Sequence, residues 1–199
     1  MTKEEKNQEI IKLKEYAHKE NIPIMQDEGI EFLTSFIEKK GATNILEVGT
    51  AIGYSAIMMA MVNPNIHVTT IERDELRYME ALKNIKKFEL ESRITLIYND
   101  ALNVELESEF DLIFIDAAKG KNKEFFNHFE KNLKIDGYII TDNMGFHGYV
   151  EMPEEEIPSK NIRGIVSKIK DYIYFLENNM QYKTIIYKIG DGIAVTERR

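Results

Sequence analysis

The sequence predicts an α/β protein: a mostly parallel, seven-stranded sheet covered by helices, with an antiparallel hairpin at its C-terminal end. Three observations lead there. From residue 44 short β-like runs alternate with helical ones, the pattern of βαβ units. The last two β-like runs are joined by "GDG", and Asp-Gly between apolar runs signals a hairpin. The length of 199 residues suits one domain spanning the whole chain, since domains commonly run about 100–200 residues.

The elements follow in order. Two helical patterns occupy roughly residues 1–40, Lys3–Lys19 and Gln26–Lys40. The second sets Ile30, Leu33, Phe36 and Ile37 on one amphipathic face. Between them "NIPIMQDEG" is a proline-containing connection able to cross a pocket mouth. Then come "NILEVG", a helix from about Tyr54, "IHVTTIE", a helix over Asp74–Glu89 and "RITLIYN". "DLIFID", a helix over about Lys121–Leu133 and "GYIITD" complete the parallel part. The acidic stretch "EMPEEEIPSK", Glu151–Lys160, is the one irregular insertion. A helix over about Asn161–Glu177 and the strands "YKTIIYKI" and "GIAVTER" end the chain.

Composition narrows the function classes. There are 26 basic and 34 acidic side chains, a net charge of −8, which argues against indiscriminate coating of nucleic acid but leaves room for one defined RNA on a local basic patch. The absence of cysteine excludes disulfides, thiolate metal sites and a cysteine nucleophile. The N-terminus is charged, and no apolar run approaches the ~20 residues that span a bilayer. A cytoplasmic protein without membrane contact is expected.

Chemistry-bearing residues collect where strands end. "ILEVGTAIGYS" reads as strand, turn and helix, with Gly49 and Gly53 letting the backbone turn tightly and approach a ligand. The spacing lacks the G-x-G-x-x-G of a diphosphate cradle, so a nucleoside without phosphate fits better; a plain strand–helix connection is the alternative. Glu72 closes the next strand, able to accept from ribose hydroxyls or simply to sit at a helix start. Asp100, ending the third, can accept from an adenine amino group or cap the short helix behind it.

Asp116 ends the fourth strand and Asp142–Asn143 the fifth. Were these strands neighbours, their ends would lie ~5 Å apart, bringing two carboxylates and an amide oxygen into one small volume. Two such carboxylates repel, and a hard divalent cation, Mg²⁺ first among them, relieves the conflict. Lys119, three residues past Asp116, can take a proton from a substrate hydroxyl, or be one more solvated lysine in "DAAKGKNK". His147 is the only histidine near these positions. Met58, Met59 and Met61 read as core, and Lys160, Arg163, Lys168 and Lys170 as a basic run that could meet RNA.

Together "ILEVGTAIGYSA", "TTIERD", "NDAL", "FDLIFIDAAKG", "GYIITDN" and "GDGIAVTERR" resemble, in order, the divalent-metal-dependent O-methyltransferases that include catechol and caffeoyl-CoA enzymes. The resemblance covers Ile22 to Arg199 and implies the class I S-adenosylmethionine-dependent methyltransferase (Rossmann-like) fold. It implies that Glu47, Gly49, Tyr54 and Ser55 line the methionine end of the cofactor and that Met25 closes over it. Glu72 then binds ribose, Asp100 and Ala101 the adenine, and Asp116 stands beside the cofactor as well as the metal. Asp116, Asp142 and Asn143 become the metal ligands and Lys119 the base.

Ala118 stands where plant caffeoyl-CoA enzymes carry a second acid, and Ala117 where catechol enzymes carry histidine. With "IPIMQDEG" and "IDAAKG" the chain looks most like bacterial tRNA 5-hydroxyuridine methyltransferases, which make 5-methoxyuridine at the anticodon wobble position. A homodimer is implied by the same resemblance. The rivals are an O-methyltransferase for small catechols or other vicinal-oxygen substrates, and a module that binds the cofactor without catalysis.

Overall fold

The structure, a computed structural model, describes Met1 to Arg199 except Ala118, and at Lys119 the backbone alone. Its helices are α1 (Lys3–Lys19), α2 (Asp27–Lys40), α3 (Tyr54–Val62), α4 (Glu75–Lys87), α5 (Asn122–Phe129) and α6 (Lys160–Glu177). Its strands are β1 (Asn44–Val48), β2 (His67–Glu72), β3 (Ile94–Tyr98), β4 (Phe110–Ile115), β5 (Leu133–Thr141), β6 (Tyr182–Tyr187) and β7 (Ile193–Arg198).

Local chemistry sets most boundaries. Thr2 and Glu5 close a reciprocal capping box at the start of α1, with Thr2 N donating to Glu5 Oε2 at 2.7 Å. Gly41 ends α2 in the left-handed conformation at φ 67°, a backbone that glycine adopts without a Cβ penalty. Asp74 caps α4 by accepting from Arg77 N, and Ser159 caps α6 by accepting from Ile162 N. The helix expected over 121–133 is α-helical to Phe129 and continues as a 3-10 turn over Glu130–Asn132. Asn132 then turns inward, donating to the carbonyls of Leu106 and Ser108, and β5 begins at Leu133.

The seven strands form one sheet in the order β3-β2-β1-β4-β5-β7-β6. The first five run parallel; β7 lies antiparallel between β5 and β6. The order reverses between β1 and β4, the switch point beside which open α/β sheets bind ligands. Strand residues alternate between two cores. Ile45, Leu112 and Phe114 pack against α1–α4, while Leu46, Val48, Ile113 and Ile115 face α5 and α6. Met59 is buried in the first core, with Met58 and Met61 packed against it, as their sequence positions predict. No helix among the described residues is long and apolar enough to cross a membrane.

The rim opposite the strand ends that matter is tied by Asp111. Its Oδ2 accepts from the amides of Thr43 and Asn44 at 2.9 and 2.8 Å, and Oδ1 takes Lys134 Nζ at 2.7 Å. Burial raises the carboxyl's pKa, but Lys134 and the two amides outweigh it and hold it below the ordinary value. Asp111→Ala should therefore cost about 2–3 kcal/mol, because two amides at the start of β1 lose a charged acceptor. Urea denaturation at neutral pH measures this; an unchanged midpoint would refute the clasp.

Candidate active site

The parallel register delivers the site. Val48 pairs with Ile71 on one side and Ile115 on the other, and Ile115 pairs with Thr141. The residues just past these positions, Gly49, Glu72, Asp116 and Asp142, thus emerge along one rim. They border a cleft of about 490 Å³, within the ~300–1,000 Å³ usual for ligand pockets. Met25, Gly49, Tyr54, Ser55, Glu72, Asp100, Ala101, Asp116, Asp142, Asn143 and His147 all line it. The sequence expectations for these positions converge on one cavity.

The β1–α3 turn approaches β4 so closely that only glycine fits. A Cβ on Gly49 would lie 2.4 Å from the Asp116 carbonyl oxygen, and its φ is +102°. Glu72 anchors the turn's far side. Its Oε2 accepts from Ala51 N at 2.8 Å, and its Oε1 from Arg73 N and Asp74 N at 2.9 Å each. Glu72 therefore supports the start of α4, as one sequence alternative had it, while standing in the cleft wall. Three backbone donors leave part of its roughly four-fold acceptor capacity for a ligand hydroxyl. Asp100 likewise caps, accepting from Leu102 N at 3.1 Å, and pairs with Arg73 at 3.5 Å.

Glu47 differs from expectation: it does not line the cleft. Its position in β1 turns it toward the α1–α4 side, and it is 0% exposed behind Ser55. Ser55 Oγ donates to one carboxyl oxygen and Thr70 Oγ1 to the other, the latter at 2.5 Å, with Thr50 bonded in turn to Thr70. Burial pushes the Glu47 carboxyl up to about 7, opposed by the Ser55 and Thr70 hydroxyls and assisted by Asp116 and Glu72. Burial, with Asp27 and Glu31 nearby, likewise pushes the Tyr54 phenol up to about 12, keeping it a proton donor.

At the β4–β5 end, Asn143 Nδ2 lies 2.9 Å from Asp116 Oδ1 and 3.2 Å from Asp142 Oδ2. Asn143 turns back onto the pair through a left-handed backbone, φ 64°, which asparagine tolerates better than most residues. Turning the amide end for end would present its oxygen where the nitrogen stands, completing an all-oxygen set. Two carboxylates and an amide oxygen fit a hard divalent cation. Among the described residues no three His, Cys, Asp or Glu side chains gather as a metal site, so the third oxygen here has to come from the asparagine. The Lys119 side chain lies outside the described residues.

Of the four basic residues of α6, Lys160, Lys168 and Lys170 are exposed, Lys168 with the end of its stem beside Gly120, and Arg163 is half-buried and donates to the Ile157 carbonyl at 3.4 Å. Sequence reasoning missed several lining residues: Gln26, Arg73, Arg77, Asn99, Phe125 and Asp191. Arg73 and Asn99 flank residues it had singled out; Asp191 was legible only as a turn.

Because folding raises Glu47 toward 7, the folded state holds a proton that the unfolded chain releases near 4.5. This contribution is whole below about 4.5 and is lost as pH rises through about 7. Glu47→Gln removes the titration. Wild type should lose on the order of 3 kcal/mol relative to the variant between pH 4.5 and 8. Parallel urea curves at the two pH values would show the gap; a constant difference would contradict it.

Over residues 2–199 the chain matches the O-methyltransferase family model. It is 30% identical to a caffeoyl-CoA O-methyltransferase of Populus kitakamiensis over 193 residues, 93% of this chain and 82% of the relative. A Staphylococcus aureus structure provisionally described as a caffeoyl-CoA O-methyltransferase superposes with a TM-score of 0.90 at 36% identity, covering 96% of this chain and 92% of that one. A Bacillus cereus O-methyltransferase in complex with SAH superposes at 0.81 with 25% identity, covering 96% and 90%. With its seven-stranded sheet and its cleft at the switch point, this chain belongs to the class I S-adenosylmethionine-dependent O-methyltransferase family, of the catechol and caffeoyl-CoA-like kind.

Proposed function

We propose that the protein methylates one of two adjacent oxygens on its acceptor with the help of a divalent cation, most simply Mg²⁺, and that the acceptor is 5-hydroxyuridine at the tRNA wobble position. The observation that carries the reaction class is the meeting of Asp116, Asp142 and Asn143 at one end of a cleft whose other end presents Glu72 and Asp100. The acceptor reading draws on the sequence: "IPIMQDEG", "IDAAKG", and alanines at 117 and 118 in place of the residues that catechol and caffeoyl-CoA enzymes carry. An unstacked wobble base can enter a pocket, and its 5-hydroxyl and C4 carbonyl form a vicinal pair. Homodimeric assembly rests on the family resemblance alone.

S-adenosylmethionine supplies an electrophilic methyl group. The cation, held by Asp116, Asp142 and Asn143, supplies a positive charge that favours an ionised acceptor oxygen. The chain's own groups do the rest. Gly49 and Ala51 offer a backbone wall without bulky side chains. Glu72 and Asp100 present acceptors to the nucleoside end, and Met25, 4% exposed, closes the cleft from the α1–α2 connection. Lys119, in its free-amine form, takes the hydroxyl proton and becomes an ammonium, and orientation of the two reactants supplies much of the rate. A second reading, a small catechol-like acceptor, draws on the caffeoyl-CoA relatives and on the net charge of −8.

Methyl transfer from labelled S-adenosylmethionine decides between them, run with Mg²⁺ or EDTA on tRNA containing 5-hydroxyuridine, on matched tRNA lacking it, and on a catechol. Metal-dependent label in the first tRNA alone is expected; label only in the catechol would transfer the assignment to small molecules. Asp142→Ala should abolish that turnover while leaving S-adenosylhomocysteine affinity within about threefold, a difference under 1 kcal/mol. Retained activity would remove the cation. Glu72→Ala should weaken S-adenosylhomocysteine binding by about ten- to a hundredfold in calorimetry, the worth of charge-assisted hydrogen bonds. An unchanged affinity would leave Glu72 only its helix-start role.

A further inference from the structure

The segment after the Asp116–Asp142–Asn143 cluster is held in an unusual backbone. Phe146, His147 and Gly148 take left-handed φ values of 45°, 56° and 82° in succession. Only the last is glycine, and left-handed backbone costs other residues roughly 1–2 kcal/mol each. Such a run persists where its surroundings over-determine it.

The surroundings here are the tip of the β6–β7 hairpin. Asp191 Oδ1 accepts from His147 N at 2.5 Å, and the Asp191 carbonyl accepts from Gly145 N at 2.6 Å. The Gly192 carbonyl accepts from Met144 N at 3.0 Å. The contact is tight: a Cβ on Gly192 would stand 2.8 Å from Gly145 N. The tip also reaches the start of α2, where Gly190 N donates to Glu28 Oε2 at 3.4 Å. The Asp191 side chain is 8% exposed and lines the cleft, while the His147 side chain is 60% exposed beside it. Along the rim the order of strands runs from Asp100 and Glu72 through Gly49 to Asp116 and Asp142, and the hairpin comes next. Asp191 therefore stands at the end of the cleft away from the nucleoside.

We propose that Asp191 is a positioning residue for the acceptor: it locks the left-handed run Phe146–Gly148 and thereby sets acceptor affinity. This rests on the methyltransferase reading, in which that end of the cleft receives the acceptor. A turn released from Asp191 relaxes toward right-handed or extended backbone, carrying His147 and the chain following Asn143 away from the pocket. The cofactor end is built from β1 to β3, on the far side of β4 and β5 from the tip, and keeps its affinity.

Two variants and two readouts test the proposal. Asp191→Asn keeps a side-chain oxygen for the His147 amide; Asp191→Ala does not. Hydrogen exchange of the 144–150 amides, with S-adenosylhomocysteine bound, needs no acceptor and so stands even if the acceptor assignment fails. Exchange at His147 should quicken at least about tenfold in Asp191→Ala and under about threefold in Asp191→Asn, as expected for loss of its side-chain acceptor, while Gly145, bonded to the backbone carbonyl of residue 191, changes less. On the acceptor that wild type turns over, Asp191→Ala should raise KM about ten- to a hundredfold, with kcat and S-adenosylhomocysteine affinity within about threefold. Unchanged exchange in Asp191→Ala would overturn the proposal. So would equal damage from Asp191→Asn, which would make the charge and not the hydrogen bond the essential feature, or a matching loss of S-adenosylhomocysteine affinity.

Discussion

The register of three parallel strands is the constraint on which the rest of this molecule depends. Val48 opposite Ile115, and Ile115 opposite Thr141, put the first residue past each strand at the same height. One register step on β4 or β5 would reverse the side on which every following side chain emerges. Asp116 and Asp142 could not then share Asn143. The strands are held in step by apolar packing on both faces, with Ile113 and Ile115 toward α5 and α6 and Leu112 and Phe114 toward α1–α4. A rim of oxygen-bearing side chains is thus fixed by hydrophobic burial some distance from it.

The same rim shows how backbone conformation is used where side chains would obstruct. Gly49 removes a Cβ that would collide with the Asp116 carbonyl, allowing the β1–α3 turn to lie against β4. Asn143 and His147 accept left-handed backbone so that the chain doubles back over the cleft. These choices cost local stability, and the compensating bonds come from far along the sequence: Glu72 to the Ala51 amide, Asp191 to the His147 amide. Both carboxylates hold a turn and line the pocket at once.

Much of this was legible in the sequence because it is local. Periodicity separated strands from helices, and the helix ends at Gly41, Asp74 and Ser159 are set by local chemistry that needs no tertiary context. The meeting of Asp116 with Asp142 required only that β4 and β5 be neighbours, as they are. What was not legible depends on direction or distance. The "ILEVG" motif places Glu47 near the turn but does not say that it faces the helices, behind Ser55. "GDG" explains itself as a turn, so nothing local reveals that Asp191 reaches an amide 44 residues upstream. The helix expected to run to about Leu133 tightens to a 3-10 turn over Glu130–Asn132, where Asn132 finds the carbonyls of Leu106 and Ser108, partners from another loop.

The charge on the cleft wall bears on how such a site turns over. Five carboxylates line it, Glu72, Asp100, Asp116, Asp142 and Asp191, against the two guanidinium groups of Arg73 and Arg77. Arg73 is partly spent on Asp100, and Asn143 bridges Asp116 and Asp142 by its amide without adding charge. An acidic wall of this kind complements a sulfonium and a divalent cation, and it repels an anionic acceptor until a cation is in place. Loss of the methyl group turns the sulfonium into a neutral thioether, so the product is held by one fewer attraction than the cofactor that entered. The wall that draws the cofactor in therefore weakens its grip when the methyl leaves, and the net charge of −8 extends that preference for cations beyond the cleft. A polyanionic acceptor must approach against this field, and exposed cations that could offset it, Lys160, Lys168 and Lys170, stand on α6 just past the acidic loop.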